Sequence, residues 1–130
     1  MLTIIPTLDF MHSICGSYKA DAGNAELRVW ACGYGVAVDL RGHKKTELVG
    51  VVGAFNNTVE CYAQVGLPNV IRFVGNKTSQ SSVHFACEDM PLEWHISKDT
   101  QILRVTVSLQ GQEKVAHVLR AASQETPSAK

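Results

Sequence analysis

Residues 26–41 read ELRVWACGYGVAVDLR, and their two halves register on each other if Gly33 and Tyr34 form a two-residue turn. Leu27 then faces Leu40, Val29 faces Val38 and Ala31 faces Val36 on one side. Arg28 faces Asp39 and Trp30 faces Ala37 on the other. Alternation with a period of two is the mark of a half-buried strand. Glycine suits the first position of a tight hairpin turn, where φ is positive. An oppositely charged cross-strand pair such as Arg28 and Asp39 adds about 0.2–1 kcal/mol. The segment therefore predicts an antiparallel hairpin, and the fold class follows from how often that pattern recurs.

It recurs at once. ELVGVVGAF and TVECYAQVG flank Asn56-Asn57, and asparagine tolerates the left-handed backbone of a tight turn. Leu48, Gly50, Val52 and Ala54 are expected opposite Val65, Ala63, Cys61 and Val59. The other face sets Val49, Val51, Gly53 and Phe55 against Gln64, Tyr62, Glu60 and Thr58. That second face is half apolar, which predicts a cover over part of it, from an early helix or a partner.

A third hairpin is expected in SVHFACEDMPLEWHISK, residues 82–98. With residues 88–91 as the connection, Cys87 opposes Leu92, Phe85 opposes Trp94 and Val83 opposes Ile96. On the other side His84 opposes His95, Ala86 opposes Glu93 and Ser82 opposes Ser97. Linear proximity suggests a cysteine–histidine site, but alternation sends Cys87 to the side away from both histidines.

Further strands are expected in VIRFV (70–74) and ILRVTVSL (102–109), while GNKTSQSS (75–82) reads as a polar loop. Residues 112–122 fit two patterns. As a strand after a three-residue turn they pair Val107 with Val115, Leu103 with Leu119 and Val105 with His117; as a helix they align Val115, Val118, Leu119 and Ala122. Near the start, Leu8, Met11, Cys15 and Tyr18 recur at helical spacing, with Thr7 as a cap and Gly23 beyond the end. The expectation is an α+β fold of eight or nine strands, a hairpin-rich antiparallel barrel or sandwich with an N-terminal helix packed on it. A single domain is expected over residues 1–122, with a disordered tail at 123–130.

Composition narrows the function classes. Lysine plus arginine and aspartate plus glutamate balance at 12 each, so no broad field favours a nucleic-acid backbone or an anionic surface, and nucleic acid is disfavoured as a partner. The N-terminus has no early basic segment and carries Asp9 and His12 within its apolar region, which predicts no signal peptide or membrane span, and cytoplasmic or nuclear residence. Cysteines at 15, 32, 61 and 87 match neither paired zinc-ligand spacing nor a disulfide scaffold, so they are expected as buried free thiols. Asn56-Asn57-Thr58 and Asn76-Lys77-Thr78 fit the glycosylation pattern, placing each asparagine in an exposed turn.

The candidate binding residues are His84, His95 and Glu93 on one hairpin face, and Arg41, His43, Lys44 and Lys45 in a short basic loop whose Gly42 lets the backbone bend around an acidic group. A metal would need a third ligand beyond the two histidines, so neither a metal nor a cofactor is expected. His12 with Cys15, and His117 facing a core valine, are weaker candidates. No phosphate-cradling glycine run or dinucleotide fingerprint is present. The leading expectation is a non-catalytic interaction or structural protein that self-associates as a homo-oligomer through sheet surface. A small hydrolase or ligand-binding barrel with a His/Glu/Cys pocket is second, and nucleic-acid binding through the 41–45 loop is third.

Overall fold

The pairings expected for residues 26–41 are the pairings observed: Leu27 with Leu40, Arg28 with Asp39, Val29 with Val38, Trp30 with Ala37 and Ala31 with Val36. The structure, a computed structural model, describes residues 4–21, 24–42, 45–55, 58–66 and 68–121. A helix, α1 (Ile4–Ser13), precedes ten strands: β1 (Gly16–Ala20), β2 (Glu26–Cys32), β3 (Gly35–Arg41), β4 (Thr46–Phe55), β5 (Thr58–Gln64), β6 (Ile71–Ser79), β7 (Ser82–Ala86), β8 (Leu92–Asp99), β9 (Ile102–Leu109) and β10 (Gln112–Ala121). Each strand pairs antiparallel with its sequence neighbours, and β1 also pairs with β10, closing the sheet into a barrel. The architecture is thus predominantly antiparallel β with one short N-terminal helix, as the hairpin pattern predicts, but with ten strands and as a closed barrel.

Several expectations are corrected. The helix ends at Ser13, and the run reaching Tyr18 contains a separate strand. Gly16 takes a φ of 151°, a conformation that side chains other than glycine's rarely adopt. Tyr18 points inward from β1 and donates its hydroxyl to the Ile14 carbonyl at 2.8 Å. Inward position in a strand and helical spacing both require an apolar residue at 18, so periodicity misassigned it. Thr7 lies within the helix, buried, and is not its cap.

The polar segment 75–82 is not a loop. β6 runs through it to Ser79, and β7 begins at Ser82. The register shifts between Lys77 and Ser79, and the Ser82 hydroxyl meets those of Thr78 and Ser79 at 2.6 and 2.8 Å. Hydroxyls thus stabilise a bulged hairpin end that carries little apolar signal. Asn76 is accordingly a strand residue, not a turn residue.

Residues 112–121 are a strand, with Val115 opposite Val107, His117 opposite Val105 and Leu119 opposite Leu103. The register arises differently from expectation. Gln110 and Gly111 both take positive φ, 56° and 80°, as a two-residue primed turn requires. A bulge between Glu113 and Val115 supplies the extra residue. Gly23, the Asn56-Asn57 turn, and the tail at 123–130 lie outside the described residues.

The barrel is filled by its own side chains. Trp94, Phe73, Phe85, Met11, Ile14, Leu27 and Leu40 are among the fully buried ones. Phe85 stacks on Trp94 with ring centres 4.2 Å apart and planes at 12°. Gly75 makes this stack fit: the nearest neighbour of a Cβ added there is the Phe85 ring. α1 inserts Phe10 and Met11 into the same core and contacts β3 through β7. It lies at the mouth where the β2–β3 and β6–β7 hairpins turn, since His12 Nε2 meets the Tyr34 carbonyl at 3.2 Å and Pro6 borders residues 77–80. The helix therefore plugs one end of the barrel and borders the outer face of β4 only through Leu8, leaving Val51 and Phe55 43% exposed.

Candidate functional site

The third hairpin has the expected register: His84 pairs with His95, Ala86 with Glu93, Phe85 with Trp94, Val83 with Ile96 and Ser82 with Ser97. The Cys87 amide donates to the Leu92 carbonyl at 3.0 Å, and its side chain packs against the core. His84, Glu93 and His95 stand together on the outer face, half-buried. His84 Nε2 is in contact with Glu93 Oε1. The ring centres of His84 and His95 are 6.3 Å apart. Burial, and then the neighbouring His84, hold the His95 imidazole below its usual pKa, because both disfavour its protonated form. The surface is an imidazole pair with one carboxylate, flanked on β9 by Thr106 and Ser108 in the same register rows.

Of the basic loop, Arg41, Gly42 and Lys45 are among the described residues. Arg41 is turned back to Asp39, with its Nε 3.3 Å from Oδ2. The Lys45 carbonyl accepts from the Gly42 amide at 2.8 Å. His43 and Lys44 lie outside the described residues. His12 and Cys15 meet through backbone, the Cys15 amide donating to the His12 carbonyl at 3.2 Å, while the His12 ring reaches the Tyr34 carbonyl and the Cys15 thiol lies 3.9 Å from the Met11 carbonyl. The four thiols are free, but Cys15 and Cys32 are exposed, Cys87 is half-buried and only Cys61 is fully buried. Burial pushes the Cys61 thiol up to about 12.

Two polar clusters escaped the sequence reading. On the outer face of β5 and β6, Glu60 is buried to 4% exposure beneath its partners. Arg72 donates to it through Nε at 3.0 Å and Nη2 at 2.8 Å, Tyr62 through its hydroxyl at 2.6 Å and Thr58 through its hydroxyl at 2.9 Å. The Arg72 bonds foremost, then that of Tyr62, hold the Glu60 carboxyl down to about 2. Arg72 reaches on to exposed Glu88 at 3.4 Å. The one sequence signal was an acid framed by Val59 and Cys61.

The second cluster is inside. His117 Nε2 lies 2.6 Å from Glu47 Oε1, although β10 and β4 are not neighbours in the barrel. A register shift pairs Leu40 with Leu48 but Arg41 with Thr46, leaving Glu47 as the extra residue. Gly42 leaves room for the carboxylate, which is the nearest group to a Cβ added there. His117 was expected to face the core; its partner could not be read because the bulge breaks alternation.

An exposed apolar feature lies on β2 through β5. One register row carries Trp30, Ala37, Val51 and Tyr62 on successive strands. Trp30 is 45% exposed and Tyr34, on the adjoining turn, 97%. Tyr34, Val51 and Phe55 border a hollow of about 530 Å3 that also touches Gly35, Gly53 and Leu8 of α1. The Phe55 ring stands edge-on to Tyr62 at 5.5 Å.

No protein-family model, curated protein or solved structure matches the chain. Among the described residues no helix is long and apolar enough to cross a membrane.

Proposed function

We propose that the protein is a non-catalytic binding module that associates with a second copy of itself through the outer face of β2–β5. The observation that carries this reading is the grouping of exposed Tyr34, Val51 and Phe55 around one hollow, with exposed Trp30 in the same register row as Val51. Aromatic side chains at the centre of a protein interface supply most of its binding energy. Barrel closure supports a face-to-face mode, because β1 and β10 pair with each other and leave no free strand edge for augmentation. A twofold arrangement fits the chemistry: each copy offers Tyr34 as a knob and the hollow beside it as a socket. The apolar side of the sheet otherwise faces inward, the reverse of a lipid-facing barrel.

Sedimentation equilibrium across low to high micromolar concentration tests the reading. A dimer is expected for the parent chain, and a monomer for Tyr34→Ser and Phe55→Ser at unchanged circular dichroism. A parent chain that stays monomeric at high micromolar concentration would overturn it.

A further inference from the structure

The β7–β8 face offers a chemistry that self-association does not use. We propose that His84, His95 and Glu93 form a binding site for one divalent transition-metal ion, with zinc as the fitting probe, held by two imidazoles and a carboxylate and completed by water. The two histidines are directly opposed on neighbouring strands, so their backbones are fixed relative to each other by the sheet. Two imidazoles on one tetrahedral zinc, with Zn–N bonds of about 2.0–2.1 Å, hold their ring centres roughly 5 Å apart. The observed separation is 6.3 Å. Rotation between staggered side-chain wells moves an imidazole by more than that difference.

Among the described residues no three histidine, cysteine or acidic side chains are already arranged to hold a metal ion. At this site the arrangement is pre-empted by the His84–Glu93 contact. A metal replaces that contact with two bonds, taking Nε2 and the carboxylate oxygen as ligands while the proton between them passes to His84 Nδ1 or to water, so the carboxylate that now orients His84 becomes the third donor. The surroundings permit entry: Thr106 pairs with His95 and Ser108 with Glu93, Asn76 pairs with His84, and all three are short polar side chains. Imidazole plus carboxylate is a donor set suited to zinc, and three protein ligands leave a position for water. No other titratable side chain on β6 or β9 pairs with these three residues.

Isothermal titration of tag-free, reduced protein with zinc chloride is the test. The expected result is one ion per chain with micromolar affinity, weakened at least tenfold in His95→Ala and His84→Ala and less in Glu93→Gln. Cys15→Ser with Cys32→Ser should bind like the parent, since both thiols are exposed and lie outside the site. A readout on the unaltered chain avoids reliance on folded variants: cobalt(II) should shift the imidazole resonances of His84 and His95 ahead of those of His12 and His117. Absence of stoichiometric binding, parent-like affinity in either histidine variant, or cobalt shifts centred on other histidines would each overturn the proposal.

Discussion

His117 on β10 meets Glu47 on β4 at 2.6 Å, although their strands share no sheet hydrogen bond. The contact therefore joins two walls of the barrel directly. Its members sit at 22% and 17% side-chain exposure, too sheltered for water to replace a lost partner fully. His117→Ala and Glu47→Gln should each lower the unfolding free energy by about 1–3 kcal/mol. A double-mutant cycle in urea should return a coupling of about 0.5–3 kcal/mol; strictly additive losses would show that the contact contributes nothing.

Glu60 should govern part of the acid limb of stability. Its carboxyl is held down to about 2 by Arg72 and Tyr62, against roughly 4.3 in an unfolded chain. A depressed carboxyl stabilises the fold above the unfolded value, and that contribution is lost as pH falls from about 4.3 through about 2. Urea midpoints measured from pH 6 to pH 2 should fall less steeply across that window in Glu60→Gln than in the parent. Arg72→Ala should be the more damaging change at neutral pH, because it strands a buried carboxylate.

The thiols should separate by reactivity. Cys32 is exposed, burial raises the Cys15 thiol pKa, and Cys61 is enclosed with its thiol up to about 12. The thiolate is the reacting form. Timed alkylation read by peptide mass spectrometry should modify Cys32 first, Cys15 more slowly and Cys61 only on unfolding. Rapid native modification of Cys61 would contradict the packed interior.

Gly50 should tolerate no side chain. A Cβ there would come within 2.6 Å of the Tyr62 carbonyl oxygen and 2.8 Å of the Ala63 Cα, and backbone cannot step aside as a flexible side chain can. Gly50→Ala should cost about 1–3 kcal/mol by urea unfolding. Gly111→Ala meets open space but a strained backbone at φ 80°, so its penalty should come with no change in core packing by near-ultraviolet circular dichroism.

His95 should titrate below the roughly 6.5 of a free histidine, because burial and His84 both oppose its protonation. Proton resonances followed from pH 8 to pH 4 would measure the midpoint. Replacing His84 with glutamine should raise it, leaving burial as the remaining cause.

The hairpins were legible because both signals involved are local. Side chains two apart share a face, and a tight turn sets the register, so Arg28 against Asp39 and His84 against His95 could be paired by counting. What escaped were features fixed by distant chain. β1 is a strand because β2 and β10 hydrogen-bond to it, and nothing in GSYKA announces that. The Glu47 bulge breaks the alternation by which its inward side chain would have been found. The candidate site divides the same way: His84, Glu93 and His95 share one hairpin and could be grouped, whereas Tyr34, Phe55 and Leu8 meet only after the helix has docked.

Closure through β1 and β10 also bears on how the chain is made. The strand at residues 16–20 finds its second neighbour only in residues 119–121, so during synthesis the nascent sheet grows hairpin by hairpin with its first strand waiting on the last. Until that seam zips, two raw edges are open to pairing with any other unfinished chain. The moment of greatest risk of misassembly is thus the interval before β10 leaves the ribosome.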